Sequence, residues 1–473
     1  MNHATKDDLQ KLHEATLTVL KRTGVKVASP RALDCLAALG VRVDRSTMRT
    51  FPEPRHVEEA LATAPRSMTV YGRRPDLDRP AVLGGDHVNV MSGGGSVRVL
   101  ALDGRYEPSS WEHLRQFNVL LDALPNIHMH INQVDPIDPV ASHYYRRLAA
   151  EMLICCTKPV CFQLSSAADV QAMVEMGIAS RGSLQALVEQ PRFMFGLNSE
   201  PPLHISEAIA DAFMAACASG LPVSMGNYSM MGVTAPITVA GAVVQLNAVQ
   251  MVAIILGQTV RRGSPICYTS FAGGADLHTL GENTSTPHAS QLVRLGIEMG
   301  RFYGLPVYSN ALTDAREPDP RAACERTYQM QACVEAGANL IQGPTSHMDQ
   351  MMLSSYVQAV IDNDIVGYVL AACRRPVISA ETLALDAGHD VAIDPEYSAL
   401  KFASHEHTVR HVRDEVWEPW AFDRDNFAAW EKGGRISVLE RAAAKAREIL
   451  DTHHPEPLPP TVADALLRAV HAT

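Results

Sequence analysis

The sequence predicts an α/β protein built on a (β/α)8 barrel of the TIM type, with an N-terminal α+β cap and a C-terminal helical tail. Three observations point to this fold class. From residue 88 onward, eight short apolar runs alternate with long helical patterns. Glycine repeatedly ends a helical pattern just before the next apolar run. The chain has 473 residues, 47% of them hydrophobic, which is enough for one barrel and two smaller parts.

Residues 1–86 are predicted to form the cap. Apolar residues at helical spacing predict a first helix over Asp7–Arg22. Proline opens two further predicted helices, Pro30–Ala38 and Pro54–Thr63. Short extended segments are predicted at Val41–Val43 and Met68–Tyr71. This mixture favours a small α+β unit ahead of the barrel.

Residues 87–375 are predicted to form the barrel. The eight apolar runs are His87–Met91, Ile127–Val134, Pro159–Leu164, Arg192–Leu197, Pro222–Gly226, Pro265–Thr269, Pro306–Asn310 and Asn339–Gln342. The helical patterns are Ser109–Leu124, Ser142–Cys156, Ala167–Ser180, Ile205–Ser219, Val239–Gly257, His288–Tyr303, Arg321–Ala336 and Ser354–Ala372. Strands that alternate with helices pair in parallel, and eight units close a barrel. Six or seven units would favour an open doubly wound sheet, which is the alternative fold.

Residues 376–473 change in character and are predicted to form an extension that packs on the barrel. Three of the four tryptophans lie here, at Trp417, Trp420 and Trp430, and a terminal helix is predicted over Ser437–Leu450. The cluster of large aromatic residues indicates a docking tail rather than a catalytic module.

The charge balance excludes several classes of partner. The chain carries 41 Lys and Arg against 52 Asp and Glu, a formal charge of -11, so neither nucleic acid nor an anionic membrane is an expected partner. No apolar leader opens the sequence, and no run reaches about 18 apolar residues, so we expect a cytoplasmic protein. The nine cysteines are scattered without zinc-site spacing, which predicts reduced thiols and no tightly bound metal.

A barrel places its chemistry at the carboxyl ends of its strands. The residues there are rich in amides and aromatic rings, and no lysine is available for imine chemistry. His128 and His130 alternate early in the second run, which favours a core role over metal ligation. The candidate site residues at the strand ends are Ser92, Gly93, Gly94, Gln163, Asn198, Asn227, Tyr228, Tyr268, Phe271, Asn310, Asp314, Gln342 and His347.

Short motifs along nearly the whole chain carry a family resemblance. They are Leu12-His13-Glu14-Ala15, Thr23-Gly24-Val25, Pro65 to Arg73, Pro125-Asn126-Ile127, Thr157-Lys158-Pro159, Ala235-Pro236, Ala240-Gly241-Ala242, Thr313-Asp314 with Asp319 and Glu325, Ala336 to Ile341, and Glu415 to Pro419. In order and spacing the sequence resembles the trimethylamine methyltransferase superfamily. The resemblance implies methyl transfer from a substrate nitrogen to a corrinoid carried by a separate corrinoid-binding protein.

The residues agree with that chemistry. A neutral amine leaves when a quaternary ammonium loses a methyl group, so the enzyme needs positioning rather than a base or a nucleophile. Aromatic faces and amide oxygens recognise such a cation, which suits Tyr228, Tyr268, Phe271 and the strand-end amides. We therefore expect substrate binding by Gln163, Asn227, Gln342 and the three aromatic residues, catalytic roles for Asn198, Asn310, Asp314 and His347, and a corrinoid-facing loop at Ser92, Gly93 and Gly94.

The founding members of the family use pyrrolysine to activate methylamines, and this chain has none. A quaternary amine such as glycine betaine is therefore the expected substrate, with the His347 imidazolium holding its carboxylate. His288 stands where many relatives have glutamate, which removes one carboxylate from the barrel mouth. The alternatives are a corrinoid–pterin methyltransferase of related architecture and a non-catalytic betaine-binding barrel. We also expect a homo-oligomer.

Overall fold

The computed structural model describes residues 3–137, 143–394 and 400–471. The N-terminal part has the three predicted helices and a small sheet in which β3 pairs antiparallel with both β1 and β2. Its elements are α1 (Lys6–Arg22), β1 (Val25–Val27), α2 (Pro30–Ala38), β2 (Arg42–Asp44), β3 (Arg49–Phe51), α3 (Pro54–Thr63), β4 (Ser67–Val70) and β5 (Ala81–Gly84). Side chains of Thr5 and Ser29 cap the first two helices, which explains where these begin.

A parallel barrel follows, as predicted. Its strands, with four short strands that belong to their connections (β7, β8, β11 and β14), are β6 (Asn89–Met91), β7 (Arg98–Leu100), β8 (Tyr106–Pro108), β9 (Val160–Gln163), β10 (Phe193–Ser199), β11 (His204–Ile205), β12 (Val223–Met231), β13 (Ile266–Ala275), β14 (Glu282–Asn283), β15 (Val307–Asn310) and β16 (Leu340–Gln342). Seven of them pair in the order β6-β16-β15-β13-β12-β10-β9.

The second predicted run closes the ring, although it pairs through isolated bridges only. Met129 pairs in parallel with Met91 of β6, and His130 pairs in parallel with Val160 of β9. The segment around residues 129–130 therefore takes the eighth strand position of the barrel; the eight strand positions are called staves below. The predicted (β/α)8 fold is confirmed, and the open doubly wound alternative is not what the chain adopts.

The predicted helices surround this ring, and each lies within three residues of its predicted bounds. They are α4 (Trp111–Ala123), α5 (Tyr144–Cys155), α6 (Ala167–Arg181), α8 (Glu207–Ser219), α9 (Val239–Val260), α10 (Pro287–Phe302), α11 (Pro320–Ala336) and α12 (Tyr356–Cys373), with a short α7 (Leu184–Glu189) after α6. The predicted start of the second helix, Ser142, lies outside the described residues.

Helix α9 is long and apolar enough to cross a membrane by length and composition alone. In the fold, 72% of its most apolar window is buried. It packs against α1, α3, α10 and β12, between the cap and the barrel wall. The helix is therefore a core element of the described structure, which explains its apolar composition.

The hairpin of β4 and β5 fills the amino-terminal end of the barrel. Met68, Val70 and Leu83 pack in one buried cluster with Met91 and Cys267 of the barrel strands. The Cys267 thiol lies 3.7 Å from the sulfur of Met68. The hairpin before the predicted boundary near residue 86 and the barrel strands after it therefore share one buried cluster. The division into domains stays a prediction.

At the opposite end, two connections form a second sheet over the barrel mouth. Strands β17 (His347–Met348) and β18 (Leu353–Ser355) follow β16, and the sheet order is β17-β18-β7-β8. Leu353 pairs in parallel with Arg98. The connections after the first and last staves are thereby fixed to each other.

The tail wraps the outside of the barrel. Its helices are α13 (Ala380–Leu383), α14 (Leu385–Ile393), α15 (Lys401–Ser404), α16 (Glu406–Glu415), α17 (Phe427–Lys432), α18 (Val438–Thr452) and α19 (Pro460–Val470). Helix α18 packs on α12 and α4, and α19 packs on α5 and α6. The buried Asp364 carboxylate of α12 accepts hydrogen bonds from the backbone N–H groups of Trp420, Ala421 and Phe422 at 2.7–3.0 Å.

Candidate active site

Strand alternation decides which predicted residues face the barrel interior. Gln163, Asn198 and Tyr228 end neighbouring staves and lie over glycines of the next strand. A Cβ at Gly226 would lie 2.1 Å from Asn198 Oδ1, and one at Gly273 would lie 2.4 Å from the Tyr228 hydroxyl. The glycines therefore leave space for these side chains, which form one rim of the mouth.

Glu282 joins this rim, although the sequence analysis did not select it. The short strand β14 pairs antiparallel with the end of β13 and returns Glu282 to the mouth beside Tyr228. Within the described residues, neither Glu282 Oε1 nor the Tyr228 hydroxyl has a hydrogen-bond partner of good geometry, and both atoms are buried. Burial raises the pKa of Glu282, and the nearby Asp314 carboxylate adds to this, whereas the contact with the Tyr228 hydroxyl opposes it.

Phe271 and Tyr308 form the aromatic floor of the mouth. Their rings meet edge to face with centroids 4.7 Å apart. The Tyr308 hydroxyl donates to Gln342 Oε1, which leaves the Gln342 amide nitrogen on the side of Gly94. The structure thus brings the predicted Phe271 and Gln342 together through Tyr308, which sequence reasoning missed.

Asn310 ends β15 on the same inner face as Tyr308. Its Oδ1 lies 3.4 Å from the backbone nitrogen of Ala272, which follows Phe271. Its Nδ2 is buried and has no partner among the described residues. A buried amide donor without a partner costs free energy, so this position is suited to a ligand acceptor.

Asp314 is buried below the rim and fully engaged. Its two oxygens accept hydrogen bonds from the backbone and hydroxyl groups of Thr284 and Ser285 at 2.6–3.1 Å. The Asp314 carboxylate therefore fixes the segment that follows Glu282, and its catalytic role stays a prediction.

His347 lies where the sequence placed it, after the last stave, but in a different protonation state. Burial lowers its pKa to about 3, and the Arg326 guanidinium lowers it too. Its Nε2 lies 2.9 Å from the Met351 carbonyl oxygen, so the neutral ring carries its proton on Nε2. Nδ1 is then a buried acceptor, beside Gly93, with no partner in the part of the chain that the structure describes. The predicted imidazolium that donates to a carboxylate is therefore corrected.

Three side chains that the sequence analysis placed in the site, as substrate-binding or corrinoid-facing groups, point away from the mouth. Tyr268 points outward, donates to Asn247 and packs against Tyr303. Asn227 points to the opposite face from Tyr228 and accepts from Ser229. Ser92 is fully buried, and its hydroxyl bonds the backbone of the second stave at Ile131. These three side chains do not line the mouth.

The loop at the first stave is only partly open. Gly93 is buried and donates its N–H to Gln133 Oε1, whereas Gly94 is partly exposed beside Gln342. His288, predicted to leave the mouth short of a carboxylate, is exposed at the second residue of α10, and Glu282 supplies a carboxylate instead. In residues 3–137, 143–394 and 400–471, no group of three or more His, Cys, Asp or Glu residues is arranged to hold a metal ion.

Comparison with known proteins agrees with this geometry. The model of the trimethylamine methyltransferase (MTTB) family matches residues 1–472. Trimethylamine methyltransferase MttB of Desulfitobacterium hafniense strain DSM 10664 / DCB-2 is 27% identical over 470 residues, 99% of this chain and 93% of that protein. The glycine betaine methyltransferase of strain Y51 is 26% identical over 473 residues, 99% and 96% of the two chains.

The crystal structure of the Methanosarcina barkeri monomethylamine methyltransferase (MtmB) is similar with a TM-score of 0.54. The match covers 97% of this chain and 89% of that one at 11% sequence identity, so it supports the fold alone. Because the family model spans almost every residue, the assignment rests on the chain as a whole. The chain belongs to the trimethylamine methyltransferase family and is an enzyme of the methyltransferase class.

Proposed function

We propose that this enzyme transfers a methyl group from a small quaternary amine of the betaine type to a corrinoid carried by a separate protein. Two similar proteins are named for trimethylamine and for glycine betaine, so a methylated amine is the substrate class that family membership supports. The chain's own residues favour the permanently charged member of that class.

One observation carries the proposal. The buried Glu282 carboxylate lies beside the Tyr228 hydroxyl at the rim of the mouth, and neither Glu282 Oε1 nor that hydroxyl has another hydrogen-bond partner among the described residues. A quaternary ammonium is held by aromatic faces and by carboxylate charge, without hydrogen bonds from its methylated nitrogen. Tyr228, Phe271 and Glu282 together supply these features.

The opposite end of a betaine is a carboxylate, which needs donors. Among the described residues, Asn310 Nδ2 is a buried donor without a partner, and the Gln342 amide nitrogen belongs to a side chain whose oxygen already accepts from Tyr308. Both residues replace His347 in this proposed role, because the neutral His347 ring has its proton committed to Met351. The amide pair accounts for recognition of an anionic group without a cationic side chain.

The reaction itself asks little acid–base chemistry of the protein. A corrinoid supplies the cobalt nucleophile that accepts the methyl group, and a neutral tertiary amine leaves. The chain's residues bind the cation, orient its N–CH3 bond and exclude water. Gly94 has no side chain and is partly exposed beside Gln342, which suits the approach of a large flat ring to this part of the mouth.

Self-association and a cytoplasmic location belong to the same proposal. Leu385 and Leu400 on the tail surface are 74% and 76% exposed, and Val409 of α16 is 67% exposed. Large apolar side chains that are exposed favour contact with a second copy of the chain. The -11 formal charge fits an aqueous rather than a membrane-bound setting.

The test is methylation of reduced cobalamin or corrinoid protein, followed by absorbance, with glycine betaine, choline, carnitine and trimethylamine. We expect turnover with quaternary amines that carry a carboxylate. Glu282→Gln should lower kcat/KM, whereas Glu189→Gln, which changes an exposed carboxylate of α7, should leave it unchanged. Turnover of trimethylamine alone, or equal activity in Glu282→Gln, would refute the proposed substrate class.

A further inference from the structure

A second cavity lies at the amino-terminal end of the barrel, far from the mouth. Its volume is about 500 Å³, and four arginines line it, Arg73, Arg74, Arg181 and Arg192. Arg192 immediately precedes β10, and Arg73 follows the β4 strand of the hairpin. The segment of the tail that leads into α19 covers the cavity with Glu456 and Leu458. We call it the arginine pocket.

Three of these guanidinium groups have only neutral partners. Arg73 donates to the carbonyl oxygens of Leu153, Ile154 and Cys156 at 2.7–3.1 Å. Arg181 and Arg192 likewise donate to backbone carbonyls. Within the described residues, none of the three lies within 4.0 Å of a carboxylate oxygen.

The charges in the arginine pocket are therefore unbalanced. Arg74 pairs with Asp78 at 3.1 Å and with Glu456 at 2.6 Å, and the Asp122 carboxylate attracts Arg73 and Arg192, so three carboxylates face four guanidinium groups. Arg192 is only 2% exposed, and burial lowers its pKa to about 9, with Arg181 and Arg73 lowering it further by repulsion. The Arg73 Nε is buried and has no partner among the described residues. Clustered, desolvated cations are costly unless an anion offsets them.

We propose that the arginine pocket binds a small molecule that bears a phosphate group. The arginine pocket carries an excess of positive charge, and guanidinium groups bind phosphate oxygens through charge-assisted hydrogen bonds. The apolar side chains of Leu153, Leu458 and Leu466 line the same cavity and suit an organic group attached to the phosphate. Glu456 already places one carboxylate oxygen against Arg74, so the chain itself carries a competitor for the ligand.

The ligand would fasten three parts of the chain to one another. The pocket walls come from the connection between β4 and β5, from the barrel base and from the tail ahead of α19. Binding to the folded state alone raises stability in proportion to the logarithm of ligand concentration over Kd. This inference is independent of the proposed methyl transfer at the mouth.

Inorganic phosphate and glycerol 1-phosphate are the probes, used with the full chain at constant ionic strength. Calorimetry should give saturable binding, and thermal unfolding should shift upward with probe concentration. Arg74→Gln should weaken binding about tenfold, and Glu456→Gln should strengthen it. Arg105→Gln is the matched control, because Arg105 is an exposed arginine that also pairs with two carboxylates. Its binding should equal that of the native chain.

The specific result is a change of affinity in opposite directions, weaker in Arg74→Gln and tighter in Glu456→Gln. If the Arg74–Glu456 ion pair were only structural, Glu456→Gln would not bind the probes more tightly. Tighter binding of glycerol 1-phosphate than of phosphate would support the apolar wall. Absence of saturable binding of both probes, or the same affinity in Arg74→Gln, Glu456→Gln and Arg105→Gln, would overturn the proposal.

Discussion

At the residue scale, we expect a cationic ligand to change the ionisation of Glu282. Burial raises its pKa, so part of its population is protonated at pH values where an ordinary carboxyl is ionised. A bound cation favours the ionised form. We therefore expect the affinity for glycine betaine to rise with pH through the raised carboxyl range, with proton release on binding. Calorimetry in buffers of different ionisation enthalpy measures this.

In Glu282→Gln the proton release should disappear, and Kd should rise about tenfold. Glu189→Gln should retain both the native Kd and the native proton release. A pH-independent affinity in the native enzyme would contradict the role assigned to Glu282.

His347 gives a second residue-scale prediction, on stability. Its pKa in the fold is about 3, below the ordinary value of 6.5, so between these values only the unfolded chain binds the proton. This contribution is fully present above pH 6.5 and is lost as pH falls towards 3. We expect His347→Asn to reduce the stability loss between pH 6.5 and pH 5 by about 2 kcal/mol. Urea unfolding at both pH values tests this, and an unchanged difference would show that His347 is not buried as a neutral ring.

At the element scale, the fit between neighbouring strands sets the shape of the mouth. In Gly226→Ala the new methyl group would lie 2.1 Å from Asn198 Oδ1 and must displace that side chain. We expect a cost of about 1–3 kcal/mol in unfolding free energy and weaker ligand binding. Gly196→Ala, on the same inner face, meets its nearest atom at 3.4 Å and should be tolerated. Thermal unfolding and ligand titration of both variants measure the difference; equal effects would argue against the rim geometry.

Strand alternation also explains why two of the predicted site side chains, those of Tyr268 and Asn227, point away from the mouth. Tyr268 and Phe271 are three positions apart on β13, so they point to opposite faces, and only Phe271 faces the mouth. Asn227 and Tyr228 are adjacent and cannot both point inward. These exclusions were available from spacing alone. Glu282 was not, because its position depends on the two-residue strand β14, which has no periodic signal.

At the scale of the whole molecule, most of the barrel was predictable because apolar runs, glycine and proline mark each stave and helix locally. The insertion of the β4–β5 hairpin into the barrel was not predictable. Its alternating pattern indicates that one face is buried, but it does not indicate which other segment packs against that face. The docking role predicted for the tryptophan-rich tail agrees with the packing of α18 and α19, whereas its anchor at Asp364 depends on a contact between distant segments.

The attachment of the tail gives a whole-molecule prediction. Asp364 is 1% exposed and receives three residues' backbone N–H groups. Asp364→Asn removes the charge that strengthens these bonds, so we expect a loss of about 1.5–3 kcal/mol and faster proteolysis within the tail. The matched control is Asp386→Asn, an exposed carboxylate of α14. Equal proteolysis of the two variants would contradict the anchoring role.

The pairing of Asn89 with Leu340 has a consequence for how the chain reaches its fold. The first barrel strand, β6, pairs with the last, β16. During synthesis β6 therefore cannot form this pairing until almost the entire barrel sequence has left the ribosome. Helices form from local contacts, whereas this closure is long-range and slow. Until it occurs, Met68 and Leu83 of the hairpin lack the enclosure that later buries them. Refolding should therefore be limited by ring closure, and an unclosed chain should be prone to aggregation.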